Sequence, residues 1–547
     1  MTIVYGNVML ILENKNGNVK IFRKFQLQGQ AQESLRGTFD RGKKRVGKKQ
    51  KKGRLFRFVR NLVVAMIVLF VILMLLPDDE ETGDAGETVS ERVAKESDRN
   101  DPALDRQNSD NSGVEEVTFP ADMVSEKEVV PKGDGTDTVT VFVYMNGSDL
   151  ESVDGSATED LEEMLAAKTG DKVQVLIETV GTKDWSKRLG IASDHTQRYR
   201  LDGGKLVLED DSLGQEDSTQ ASTLSDFIRW GLKNYPADRN LLIFWDHGAG
   251  PVYGFGYDEI QAHEETLTMD QMRQALQNGG IYFDVIGMDC CIMSSMELCL
   301  GLQDYCDYLI LSEDFETGIG WSYTGWLKAL EDNTSLETPE LGRLIVDDMV
   351  SANENDQDGG AATLALIDAS YSNLLYTAWK DFAYANERSL LGENYSMHIK
   401  GGRRAHPVLK EKGLFDWIFD ANGDYDMSDY YITDIMAVAQ NIQSEESKAL
   451  EAALQLAVAY FACTSDEVGM TGLSVTLPYG DLDFYEELSD VFSNSGLEEE
   501  YVNWLGRFVR ASGVQDRYDY EDWYENEWSG WESLFTDFDW LIWLLEE

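Results

Sequence analysis

The sequence is short of positive charge, of histidine and of cysteine. Its 547 residues carry 47 Lys and Arg against 99 Asp and Glu, for a formal net charge of -52. A chain that acidic repels polyanions, which argues against nucleic acid as a partner. Its five histidines, His195, His247, His263, His398 and His406, are too scattered to build a metal cage. Its five cysteines, Cys290, Cys291, Cys299, Cys306 and Cys463, show neither the CxxC pairs of a zinc site nor the spacing of a disulfide framework, so reduced thiols are expected. A metal hydrolase therefore lacks its ligand cluster. What the chain does have is 43% hydrophobic and 11% aromatic residues, enough for at least one large core.

The scarce positive charge is concentrated in one place. Residues 41–60, RGKKRVGKKQKKGRLFRFVR, hold eleven Lys or Arg and no acid; Leu62 to Leu76 are all apolar, and PDDEETGDAGE follows. Fifteen residues are short for a bilayer at about 1.5 Å each, but Phe58 and Val59 lengthen the run and Arg57 and Arg60 can reach the headgroups. A helix that is apolar all round, between a basic and an acidic block, does not suit a soluble core. No small-residue cleavage site follows to mark a removable signal peptide. The expectation is an uncleaved transmembrane signal anchor over 55–77, with a cytoplasmic segment 1–54 and the rest of the chain extracytoplasmic. Residues 1–40 carry no readable signal. Residues 78–135 are acidic and poor in apolar side chains, which predicts a disordered stalk.

The texture changes again at TVTVFVYMNGSDLES, residues 138–152. Short apolar runs recur at 173–181, 239–248, 283–289, 308–314, 361–368 and 471–478, with helix-like stretches such as 222–235 and 268–280 between most of them. Alternating β and α with runs apolar on both faces predicts an α/β domain over 136–513, its mainly parallel sheet covered by helices. Residues 514–547 are dense in Trp, Tyr and acid. They could be a docking helix, a cover or a partner-binding tail, and packing onto the domain's own surface is the expectation.

In a parallel sheet, reactive groups collect beyond the carboxyl ends of the strands. NLLIFW runs into Asp246, His247, Gly248, Ala249 and Gly250; FDVIGM runs into Asp289, Cys290 and Cys291. The stretch between His247 and Cys291 suits a single crossover, so the two strand ends can lie side by side and imidazole can meet thiol. An ordinary thiol is only a few per cent ionised at neutral pH, and a neighbouring imidazole makes it a practical nucleophile. The backbone N–H groups of Gly248 and the cysteine could hold a tetrahedral oxyanion. Side chains two apart in extended backbone share a face, which puts Asp289 and Cys291 in the cleft and turns Cys290 into the core. Asp289, held off the thiol, would suit the floor of a pocket for Arg or Lys. The same two cysteines could equally be inert small hydrophobes.

LLIFWDHGAG together with FDVIGMDCCIMSSMEL resembles the His-Gly and Asp-x-Cys blocks of the clostripain family of cysteine peptidases, relatives of caspases, legumains and gingipains. TVTVFVYMNGSDLES with ATEDLEEM, LSEDFETGIGWSY and TGLSVTLP resemble further blocks of that family, so the likeness spans roughly 136–510. It implies a caspase-like αβα sandwich, His247 as general base and acid, Cys291 as nucleophile, and Gly248 with Cys291 as oxyanion donors. It also implies Asp289 lining a pocket for a basic residue, Asp314 as a second candidate there, and protein or peptide substrates with basic residues. The chain departs from the pattern at Cys290, where a small residue is usual, and at GIGW. Cleavage after a basic residue between the two blocks activates some members; here only Arg273 is available, inside a predicted helix. The chemistry needs no cofactor, although calcium dependence occurs in the family and no EF-hand spacing is present. The alternative is an inactive surface scaffold that keeps the fold, against which intact His247 and Cys291 argue.

Overall fold

The computed structural model describes residues 11–13, 19–21, 119–120, 123–125 and 133–512, the last span without 262–264, 357–358, 392–430, 466–468 and 479. The expectations for 55–77 and 514–547 lie outside these residues. Among the described residues no helix is long and apolar enough to cross a membrane. In the N-terminal unit the described residues are two short strands, β1 (Ile11–Glu13) and β2 (Val19–Ile21), paired antiparallel.

In the second unit the strands are β3 (Val139–Asn146), β4 (Val173–Val180), β5 (Gln197–Asp202), β6 (Lys205–Asp210), β7 (Arg239–Trp245), β8 (Phe283–Asp289), β9 (Cys306–Leu311), β10 (Thr363–Asp368), β11 (Ile432–Asp434), β12 (Val458–Cys463) and β13 (Ser474–Thr476), and the apolar runs account for all but β5, β6, β11 and β12. Nine form one sheet in the order β12-β10-β9-β8-β7-β3-β4-β5-β6. The five central strands, β9 to β4, run parallel, whereas β10 and β12 at one edge and β5 and β6 at the other are antiparallel. The mainly parallel sheet expected from sequence is thus a parallel centre with antiparallel margins. The run 471–478 does not join it: β13 pairs with β11 as a separate two-stranded ribbon.

The helices include α1 (Ser156–Ala167), α2 (Ala221–Asn234), α3 (Met269–Gly279), α4 (Tyr323–Asp332) and α5 (Thr338–Asn355), then Ser372–Ala385, Glu445–Ala457 and Leu482–Asn494. In α3 the capping box is closed, with Gln271 Oε1 accepting the Thr268 N–H at 2.9 Å, and such a start stabilises a helix by about 1 kcal/mol. The period-2 alternation of the central strands divides the core into two layers. Phe142, Tyr144, Leu242 and Phe244 meet α2 and α3 on one side; Val141, Val143, Leu241 and Ile243 meet α1, α4 and α5 on the other. This is the αβα arrangement. The strand order reverses between β3 and β7, which opens a crevice at their carboxyl ends.

Part of the expected stalk belongs to this unit. Phe119 and Met123 pack against the core, and the Ser125 N–H donates to the Ser370 carbonyl at 2.9 Å. Two apolar side chains in an acidic stretch are too few to show in its composition.

Buried acids give this core a pH dependence. Burial pushes Glu178, Asp246 and Glu297 up to about 7, and for Glu178 the Arg198 ion pair offsets that only in part. Between about pH 4 and 7 these groups hold protons in the folded chain that they would lose on unfolding, so stability falls as pH rises through that window. The melting temperature of the full chain, followed by circular dichroism, should be higher at pH 5 than at pH 8; a rise over that interval contradicts the assignment.

Candidate active site

The register of the two central strands sets the site. Trp245 of β7 pairs with Asp289 of β8, so His247 and Cys291 each stand two residues beyond the same rung. The loops that follow interlock: a Cβ placed on Gly248 would lie 2.0 Å from the Cys291 carbonyl oxygen and 3.0 Å from Met293 Cγ. Only glycine fits at 248, because the Cys291 backbone occupies the space a side chain needs. Among the described residues neither the Gly248 nor the Cys291 N–H is taken by a hydrogen bond. The loop from 247 turns back on itself through Ala249 N–H to the Gly254 carbonyl and Gly256 N–H to the His247 carbonyl, both 2.9 Å.

The cysteine loop is laid out between two neighbours. The Ile292 N–H donates to the Asp314 carbonyl (2.9 Å), the Ser294 N–H to the Ser312 carbonyl (2.8 Å), and the Ser474 N–H to the Ser294 carbonyl (3.0 Å). The segment containing β13 therefore braces the Cys291 loop from outside the main sheet. Immediately after Cys291, Ile292 adopts φ 51°, a left-handed conformation that costs a β-branched residue about 1–2 kcal/mol and turns the chain sharply there.

Asp149, which lies just beyond the end of β3, supplies a partner that the strand-end argument overlooked. Its Oδ1 sits 2.7 Å from His247 Nε2, and Tyr257 stacks on the imidazole with ring centres 6.0 Å apart. Partial burial works to raise the Asp149 carboxyl, but hydrogen bonds from His247 and Tyr257 outweigh it and hold the group below its ordinary value. An anion on Nε2 fixes the ring's orientation and leaves Nδ1 for proton exchange. The His247 side chain is 40% exposed, so solvent and substrate reach it.

The two cysteines differ. Cys290 is buried in the layer with Met288 and Met293, and burial raises its thiol well above the ordinary value. Cys291 is partly exposed and its Sγ accepts the Glu316 N–H at 3.2 Å. Burial, then the Glu316 charge, pushes this thiol up to about 12, so the sulfur is protonated in the conformation described. A strap running from Asp314 to Thr317 lies against it.

Beside the strap lies a cluster of buried acids. Asp289 is almost fully buried, with Oδ2 accepting the Tyr323 O–H at 2.7 Å and Oδ1 the Trp321 N–H at 3.2 Å. Burial raises its carboxyl to about 6 against those bonds. Asp160 of α1, held by Trp245 Nε1–H at 2.6 Å, and Glu316 complete the group. Asp314 serves the loop itself, through its carbonyl and through an Oδ1 that accepts the Phe315 N–H at 2.7 Å. Arg273 lies in α3 with its guanidinium on the Ser495 carbonyl, which fits a helix anchor better than a scissile loop. Among the described residues no group of three or more His, Cys, Asp or Glu is arranged to hold a metal ion, so no calcium ligands are assigned.

A parallel α/β sheet that sets a histidine loop against a cysteine loop at its carboxyl edge defines a class, the cysteine peptidases. Residues 143–471 match the model of the clostripain family, and the chain belongs to that family. Among solved structures it is similar to a secreted C11 cysteine protease of Bacteroides thetaiotaomicron called iotapain, at 17% identity, 68% of this chain, 99% of that chain and a TM-score of 0.47. It is also similar to an inactive zymogen C11 protease of Parabacteroides distasonis, at 17% identity, 66% of this chain, 99% of that chain and a TM-score of 0.42. No curated protein matches.

Two substitutions test the geometry. Gly248→Ala must push the two loops apart and should lower kcat/KM about 100-fold while Cys291 stays present; near-normal activity would show that the loops do not abut. Asp149→Asn should lower kcat about 10- to 100-fold with little change in KM, because an amide no longer orients an ionising imidazole. An equal loss in KM alone would give Asp149 to substrate binding instead.

Proposed function

We propose that the chain is a membrane-anchored, outward-facing cysteine endopeptidase that cleaves after Arg or Lys, with Cys291 as nucleophile and His247 as general base and acid. The observation that carries this reading is the interlock of the Gly248 and Cys291 backbones above the Trp245–Asp289 rung, which brings the histidine and cysteine loops to one place. Preference for a basic residue is supported by the buried acids under the thiol, Asp289, Asp160 and Glu316, which a cation would neutralise. Anchoring is supported by the apolar run beside the basic block at 41–60.

On this reading the Cys291 thiol passes its proton to His247 Nδ1 as the strap lifts, and the thiolate attacks the scissile carbonyl carbon. The Gly248 and Cys291 N–H groups hold the oxyanion, each positioned by the other loop. His247 gives the proton to the leaving amine, which departs and leaves a thioester on Cys291. Water, deprotonated by the same imidazole, then hydrolyses the thioester and regenerates the thiol.

One preparation tests the three parts. Carbonate-washed membranes from cells making the full chain should cut added peptides after Arg or Lys, Cys291→Ala should silence them, and Cys290→Ala should leave most activity. Activity washed off the membrane sinks the anchor, cuts after neutral residues sink the specificity, and dependence on Cys290 sinks the choice of nucleophile.

A further inference from the structure

Asp246 stands one residue before His247 and is only 3% exposed. Its two carboxyl oxygens hold two different loops. Oδ1 accepts the Ser148 hydroxyl, in the turn after β3 whose next residue is Asp149. Oδ2 accepts the Tyr257 N–H at 3.2 Å, in the returning loop whose ring stacks on His247. The Tyr257 hydroxyl in turn bonds the Asp149 carboxyl, which sits on His247 Nε2. Asp149, His247 and Tyr257 therefore form a closed set of contacts, and each is joined to Asp246 directly or through one peptide bond.

Both loops are shaped around this carboxyl. Ser148 adopts φ 37°, a left-handed conformation that sterics disfavour for a residue with a Cβ. Its hydroxyl on Asp246 and its carbonyl, which accepts the Thr182 hydroxyl at 2.7 Å, keep it there. Gly256 adopts φ 60°, and a Cβ at this position would lie 2.7 Å from Asp246 Oδ2. A side chain at 256 would push the carboxyl off the Tyr257 N–H.

We propose that Asp246 is the positioning residue of the catalytic imidazole: its carboxylate holds the turn that bears Asp149 and the loop that bears Tyr257, so that one buried group sets the His247 ring at its Nε2 edge and on its face. This rests on the reading of His247 as general base and adds what keeps the ring in place. The titratable groups facing Asp246 are His247 beside it, Tyr257 from the returning loop and Cys290 from the end of β8, with Asp149 beyond Ser148. Behind Tyr257, Glu259 pairs with Lys183, and Asp258 turns away to accept the Ser218 N–H at 3.0 Å.

A neutral acid serves this role less well, because its proton occupies one oxygen. The Ser148 hydroxyl can rotate to accept that proton, but the Tyr257 N–H can only donate and loses its charge-assisted bond. Burial pushes the Asp246 carboxyl up to about 7, against the pull of His247 and of its hydrogen bonds. The contacts around the ring are thus loosened below that pH and assembled above it. There the negative charge beside the ring also favours the proton that the imidazole takes from the thiol. Keeping a charge in a dry site lowers stability, so an assembled base and a more stable fold pull in opposite directions.

The test compares the native full chain with Asp246→Asn, by kcat and KM across pH on a peptide that the native chain cleaves, and by melting temperature. The amide keeps the shape, with an oxygen for the Tyr257 N–H and an N–H for the Ser148 oxygen, and removes only the charge. The ratio of native to variant kcat should lie within about twofold at about pH 5.5 and grow to about tenfold or more at about pH 8.5, with KM little changed. At about pH 8 the variant should melt at the same temperature as the native chain or higher. A ratio that is the same at every pH, a loss confined to KM, or a lower melting temperature overturns the proposal and leaves His247 as general base. A native chain that cleaves no peptide overturns the peptidase reading and this proposal with it. Should Asp246→Asn fail to fold, Ser148→Ala takes its place, since it removes only the bond to the Asp149 turn. Its kcat should fall about tenfold at unchanged KM, and a kcat within about twofold of native overturns the proposal.

Discussion

Everything at the carboxyl edge depends on one rung of the sheet, Trp245 beside Asp289. A shift of either strand by one residue would carry His247 or Cys291 to the opposite layer, since side chains alternate along a strand. The two core layers hold that register, because Leu242 and Phe244 fit only the α2–α3 side and Leu241 and Ile243 only the other. Above the rung the backbone is fixed by close contact, with Gly248 resting on the Cys291 carbonyl. Packing in the core and chemistry at the surface are thereby parts of one constraint.

The second constraint is electrostatic. The site sets acids in two environments with opposite consequences. Asp149, half-exposed and hydrogen-bonded to His247, stays ionised and orients the ring. Asp289, Asp160 and Glu316, sealed from solvent, are driven by burial toward their neutral forms, and burial above all keeps the Cys291 thiol protonated.

Much of the fold was legible because its central strands are buried on both faces and read as unbroken apolar runs. The edge hairpin of β5 and β6 was not, since QRYRLD and KLVLED are half-polar strands whose signal is weak. TGLSVTLP read as one more sheet strand, but its role is to brace the Cys291 loop from the β11–β13 ribbon. His247 and Cys291 could be named because each follows a recognisable strand. Asp149 also follows one, but nothing in NGSDLES marks which polar residue reaches across to a histidine 98 positions later. The contact of the Glu316 N–H with Cys291 Sγ was hidden for a different reason: it depends on how the 314–317 strap folds back over the thiol, and spacing along the chain does not encode that.

The central claim is that His247 activates Cys291 across the two adjoining loops. Treating the full chain with a peptidyl-arginyl chloromethyl ketone and locating the adduct by mass spectrometry tests it most directly. The account predicts modification of the Cys291 sulfur, none at Cys290, and a rate that collapses in His247→Ala. An adduct on Cys290, or a Cys291 adduct forming equally fast without the imidazole, would contradict it.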